Sequence, residues 1–209
     1  AICPPNPYPD LMVDIETLST RPNAAILSIA AVPFNSQTGA YSPDQFYEEI
    51  GGDLYPSEFH VDPKTVAWWD RQPTPRPSGN EYPDGALQRF QQHLTQPQPT
   101  YLWANSPSFD LVILKEAFRF YNIVWPHDFW SERDVRTIRA LGNAPKFKPT
   151  HNAIQDCLLQ IHAVCSTLKQ FKQKPTHPLA PADQGFPMEV SFLHASVPFA
   201  KTIRKTTHT

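Results

Sequence analysis

The stretch DLMVDIETLS (residues 10–19) sets the first constraint on the fold. Leu11, Val13 and Ile15 alternate with Met12, Asp14 and Glu16, the period of two that belongs to a β-strand. Asp14 and Glu16 therefore stand side by side on one face of an otherwise apolar strand. Asp is depleted in strands, Glu less so, and an unpaired buried charge is costly. Whatever packs around this strand must compensate two adjacent negative charges.

The segments that follow narrow the surroundings. AAILSIAAVPF (24–34) and QFYEEI (45–50) read as two more strands, with the turn sequence SQTG (36–39) between them, an antiparallel meander. DPKTVAWWDRQ (62–72) opens on Asp-Pro, a helix-start signal, and PTPRPSGNEYP (73–83) reads as a loop. Leu87, Phe90 and Leu94 give residues 84–96 helical spacing, and TYLWA (100–104) reads as a fourth strand. Three helices are then expected: residues 106–122, the short DVRTIRALG (134–142) stopped by Gly142, and residues 152–171. This order predicts an α/β fold, a mixed sheet with its antiparallel part first and helices on its flanks. Residues 1–172 are expected to form one domain, and 173–209 a proline-rich tail of unassigned role.

A net charge of −2 gives no global attraction to polyanions or anionic membranes, so any polyanion site must be local. Cys157 and Cys165, eight residues apart on one expected helix, would lie about 12 Å from each other, too far for a disulfide. A reducing compartment is the simpler expectation. No apolar run approaches the roughly 18 residues of a membrane span, and no signal peptide is recognisable. The expected location is cytoplasmic (that of a bacterial host if the chain is phage-encoded), with no membrane partner.

Two further acids occupy unlikely places. Asp110 lies among apolar neighbours near the start of one expected helix, and Asp156 lies one turn into the last. Four carboxylates from three elements converge only around cations; otherwise mutual repulsion protonates some of them. Oxygen ligation favours Mg²⁺ or Mn²⁺ over zinc. Two such ions about 3.5–4 Å apart clamp the attacking and leaving oxygens of a phosphodiester. His151, five residues before Asp156, adds a side chain suited to taking a proton from water.

In order and style, VDIETL (13–18), WANSPSFDLVIL (103–114), RDVRTI (133–138) and HNAIQD (151–156) resemble the DEDDh 3′–5′ exonucleases. The resemblance is to phage and bacterial members of exonuclease-VIII-like and 3′–5′ exoribonuclease type, in which a helix like TVAWWDRQ (65–72) recurs. It implies a ribonuclease-H-like fold with a mixed five-stranded sheet. It also implies that Asp14, Glu16, Asp110 and Asp156 hold two divalent cations, Mg²⁺ or Mn²⁺, that His151 is the general base, and that Thr17 and Leu18 touch the terminal nucleotide.

Other residues carry weaker expectations. Trp68 and Trp69 cannot share one helix face, so one is expected in the core and the other half exposed, and Trp69 and Phe109 are candidates for stacking on a base. Asn105, Ser106 and Ser108 either bond substrate or make the strand-to-helix turn. Asp134 is expected to cap its helix, with Arg133 or Arg136 as ion-pair partner. Lys146 and Lys148 either meet backbone phosphates or are simply solvated. The expected function is a two-metal-ion 3′–5′ exonuclease releasing nucleoside 5′-monophosphates from single-stranded DNA or RNA 3′ ends. The alternative is a nucleic-acid-binding accessory protein of phage replication or recombination with a vestigial site. The choice of sugar and homodimer formation stay open.

Overall fold

Alternation in the first strand decides the architecture. The computed structural model describes residues 6–144 and 146–173. The first strand, β1 (Asp10–Thr17), lies at the centre of a five-stranded sheet. It pairs antiparallel with β2 (Ile26–Phe34), which pairs antiparallel with β3 (Phe46–Glu49). On its other side β4 (Tyr101–Ala104) and β5 (Glu132–Asp134) continue in parallel, giving the order β3-β2-β1-β4-β5. The helices are α1 (Pro63–Trp69), α2 (Pro83–Thr95), α3 (Asp110–Phe120), α4 (Val135–Leu141) and α5 (Ala153–Gln173). This is the expected mixed α/β sheet flanked by helices.

Each face of the sheet builds its own core. Leu11, Val13 and Ile15 join Leu87 and Phe90 of α2 and Leu114 and Phe118 of α3. Met12 faces the other way, with Val32, Phe34, Trp103, Val135 and the α5 residues Cys157, Ile161 and Val164. By the pleat, Asp10, Asp14 and Glu16 share the Met12 face. Asp10 is buried but satisfied, accepting hydrogen bonds from Trp103 Nε1 (2.8 Å) and Ser36 N (2.9 Å). Opposite Asp14 and Glu16, the register of β2 sets Ala30 and Ser28, whose small side chains leave room beside the carboxylates.

Local rules account for most element boundaries. Asp62 caps α1 through Lys64 N (2.9 Å) ahead of Pro63, and Pro83 opens α2. Asn152 caps α5, its Oδ1 accepting from Gln155 N (3.1 Å). The third helix starts at Asp110 rather than at Ser106, because residues 105–109 form a turn whose Ser106 carbonyl accepts from Phe109 N and Asp110 N. Asp134 caps α4 through Arg136 N and Thr137 N. It has no ion pair with Arg133, which instead lies over the Tyr101 ring at 4.0 Å and donates to the carbonyls of Trp130 and Glu132. Cys157 and Cys165 are free thiols. No helix among the described residues is long and apolar enough to cross a membrane. The proline-rich tail lies, from residue 174 on, outside the described residues.

Candidate active site

The carboxyl ends of the parallel strands β1, β4 and β5 share one edge of the sheet, where an open α/β fold places its ligands. The end of β1 delivers Asp14 and Glu16. The turn after β4 delivers Asp110 as the first residue of α3, and the first turn of α5 delivers Asp156. One ligand atom each from Glu16, His151 and Asp156 lie within 4.8 Å of one another. Asp110 is locked to β1, its Oδ1 accepting from Ile15 N at 3.3 Å. Asp14 Oδ1 accepts from Gln160 Nε2 at 2.7 Å.

The group is electrostatically unstable by itself. Burial, followed by repulsion from Asp110 and Glu16, raises Asp14 well above the carboxylate range. Burial, then Asp156 and Asp110, pushes Glu16 up to about 8. Burial lifts Asp110 to about 7 against the opposing hydrogen bond from Ile15 N–H and the positive charge of Arg136. Without a cation, all three shifts favour the protonated carboxyl. Carboxylate oxygens with one imidazole suit a hard divalent ion, so the side chains present fit a metal centre.

A stability prediction follows from the sign of these shifts. Glu16 and Asp110 keep protons in the folded protein at pH values where the unfolded chain has released them. The metal-free fold therefore loses stability as pH rises from about 4.5 to about 8. A divalent cation replaces those protons, so the melting-temperature gain from Mg²⁺ or Mn²⁺ over EDTA should be larger at pH 8 than at pH 5. The difference should be on the order of 5–10 °C, since each kcal/mol moves a domain this size by roughly 2–4 °C. Equal gains at both pH values would contradict these upward shifts.

Asp156 and His151 are positioned together. The Asp156 carboxylate accepts from Thr150 N (2.8 Å), Thr150 Oγ1 (2.9 Å) and His151 N (3.0 Å). This grip holds His151 at φ +59°, a left-handed conformation uncommon outside glycine. The imidazole meets Trp68 edge-to-face at 4.8 Å between centroids, with Trp69 at 6.1 Å. Thr74, in the loop after α1, donates to Thr150 O at 2.6 Å and ties this corner to the α1 side.

Next to the carboxylates is a cavity of about 420 Å³ whose walls include Glu16, Thr17, Trp68, Trp69 and Phe109. Of the residues expected at a substrate site, Thr17, Trp69 and Phe109 line it. Leu18 does not: it is 5% exposed and faces a separate cavity of about 510 Å³ with Leu27, Val61 and Val66. Trp69 lines the space as a core residue, 3% exposed, with its Nε1 donating to Thr17 O at 3.0 Å. The half-buried tryptophan against His151 is Trp68, so the more accessible ring belongs to the other member of the pair. Asn105 Oδ1 is buried with no hydrogen-bond partner among the described residues, and the exposed Ser108 pairs with Ser106 across the turn at 2.7 Å. Gln160 carried no expectation from sequence, since a glutamine on an amphipathic helix reads as surface. Its offset of four from Asp156 is the signal, because i and i+4 share a helix face.

Comparison with known proteins extends this picture. The search of curated proteins returns no match. Among solved structures, the chain resembles the zinc-bound complex of E. coli exonuclease I with single-stranded DNA, at TM-score 0.58 and 16% identity over 78% of this chain and 40% of that one. An exonuclease I structure without ligand matches at TM-score 0.58 and 19% identity, over 77% of this chain and 42% of that one. The complex of E. coli exonuclease I with a dT13 oligonucleotide matches at 0.57 and 16%, over 78% and 41%. At these identities the likeness shows the fold, and the chain spans about two fifths of the length of those proteins. A family model described as a 3′–5′ exoribonuclease Rv2179c-like domain matches residues 9–168, nearly the whole of the two-faced sheet and its helices. The chain belongs to the Rv2179c-like family.

Proposed function

We propose that this chain is a metal-dependent 3′–5′ exonuclease that removes nucleoside 5′-monophosphates from single-stranded 3′ ends, with residues 1–172 as the catalytic domain. The observation that carries this reading is the convergence of mutually repelling carboxylates and an imidazole beside an aromatic-walled cavity. Asp14, Glu16, Asp110 and Asp156 would hold two divalent cations, Mg²⁺ or Mn²⁺. When bound, such ions supply Lewis-acid stabilisation of the charge that develops on phosphodiester oxygens. His151 takes the proton from the attacking water. The cavity lined by Thr17, Trp68 and Phe109 receives the 3′-terminal nucleotide, with aromatic rings available for stacking. The family description supports RNA as substrate, and the single-stranded DNA in the exonuclease I complexes supports DNA.

Gln160 acts as a positioning residue, holding Asp14 Oδ1 so that the other oxygen stays available. Gln160→Leu should lower kcat by roughly 10–100-fold and raise the Mg²⁺ concentration for half-maximal rate, with little change in KM for the oligonucleotide. A loss of melting temperature with unchanged metal dependence would reduce Gln160 to a packing residue.

The reading is tested with matched DNA and RNA oligonucleotides labelled at the 3′ or the 5′ end, incubated with Mg²⁺, Mn²⁺ or EDTA. Mononucleotide release from the 3′ end that stops in EDTA is expected, and the preferred sugar is read from the same gel. Binding without degradation would instead favour the accessory-protein alternative.

A further inference from the structure

Three cations outside the carboxylate cluster line one groove. Arg136, Arg139 and Lys146 border an open space of about 400 Å³ between α4 and the segment that follows it, and no carboxylate of the described residues lines it. Among the described residues none of the three takes part in an ion pair, whereas Arg89, Lys115 and Arg119 all do. The Arg139 guanidinium lies 4.2 Å from the centre of the Phe147 ring, and its buried Nε has no hydrogen-bond partner among the described residues. A guanidinium placed over an aromatic ring can still direct N–H groups to a phosphate.

The groove has a fixed wall. Asn143 N and O both bond the Gln170 side-chain amide of α5, each at 3.2 Å. At Gly142 a Cβ would come within 2.4 Å of Thr167 Cγ2, so the backbone lies directly against α5.

Its position along the sheet edge suggests an occupant. Asp14 and Glu16 end β1, Asp110 follows β4, and Arg136 follows β5, the next strand in the same parallel series. Arg136 is near enough to Asp110 for its charge to be felt there. The aromatic cavity is lined from α1, by Lys64, Thr65, Trp68 and Trp69, and by no residue of α4. Two strand spacings amount to about 10 Å, a reach of roughly three nucleotides at the 3.4 Å rise of a stacked strand. We propose that this groove binds the backbone of the substrate strand a few nucleotides 5′ of the cleaved bond, with Arg139 and Lys146 each engaging a phosphate. The inference rests on the exonuclease reading and adds that longer single strands are held more tightly than short ones.

The test uses the full chain and Arg139→Gln/Lys146→Gln, with Lys146→Gln alone as a variant at an exposed side chain that leaves the Arg139–Phe147 contact intact. KM is measured on a 3-mer and a 12-mer, and binding of the 12-mer is followed by fluorescence anisotropy in EDTA across a salt series. The double variant should raise the 12-mer KM about tenfold, bringing the 3-mer to 12-mer ratio toward one. The slope of log K against log salt should fall by about 1.4, or roughly 0.7 for each phosphate that is no longer neutralised. Lys146→Gln should give half of that slope change. An unchanged slope overturns the proposal. A changed slope with an unchanged length ratio overturns the placement on the substrate path. If wild-type protein degrades neither oligonucleotide, the exonuclease reading fails, while the salt series still reports on the groove.

Discussion

Asp14→Asn should reduce turnover at least a thousandfold and, in the absence of metal, make the protein more heat-stable. The loss follows from where Asp14 sits. It is buried, and Asp110, Glu16 and Asp156 all act on it, so it feels every other acid of the cluster. Removing one anionic ligand forfeits several kcal/mol of transition-state stabilisation, and each 1.4 kcal/mol is about tenfold in rate. The gain comes from the same crowding. An amide has almost the shape of the carboxylate and still accepts from Gln160 Nε2, but it no longer repels its neighbours. The melting temperature in EDTA at pH 8 should rise by several degrees, and the stabilisation by added Mg²⁺ should shrink. Turnover within tenfold of wild type would remove Asp14 from the metal centre. A fall in metal-free melting temperature would show that its charge is compensated in some other way. A site that stabilises the fold when it is disabled is one where function, not packing, selects the residue.

The acidic cluster was legible because its anomaly is local. Two carboxylates in a period-two apolar run violate strand composition within ten residues, and the same holds for Asp110 among Phe109, Leu111 and Val112. The antiparallel meander and the long α5 were legible for a similar reason, since several periods of pattern accumulate in each. What escaped is short or set by distant contacts. With three residues, β5 offers no period to read, and its place beside β4 depends on tertiary packing. Which tryptophan is buried is decided by Trp69 Nε1 meeting Thr17 O, a contact 52 residues apart in sequence. Leu18 follows Thr17 directly, but the chain turns there, and Leu18 N bonds Ala25 O, so its side chain leaves the cavity that Thr17 lines. The groove at Arg136 and Arg139 is invisible in a chain of net charge −2, because a local excess of cations is averaged away.

Replacing His151 should separate the two roles that its position allows. The ring is close enough to Glu16 and Asp156 to share a cation with them, and it is equally placed to take a proton from water beside one. The backbone has to be controlled first, because His151 sits at φ +59°. Alanine there costs on the order of 1 kcal/mol of backbone strain, whereas asparagine tolerates the left-handed region. His151→Asn should therefore keep the melting temperature within a few degrees, and its backbone N–H can still donate to Asp156 Oδ2. As a lost general base, it should lower kcat by about 10²–10⁴ while the Mg²⁺ concentration for half-maximal rate moves less than about threefold. As a lost ligand, it would shift the metal dependence by roughly 10–100-fold, and raising the metal concentration would restore the rate. Arrangement favours the base. Asp156 uses both oxygens to fix the two backbone N–H groups that lead into His151, and Trp68 holds the ring edge-to-face, so the side chain is oriented before any cation arrives. Such preorganisation is what proton transfer requires, and a rate that recovered fully with excess Mg²⁺ would show that His151 serves the metal instead.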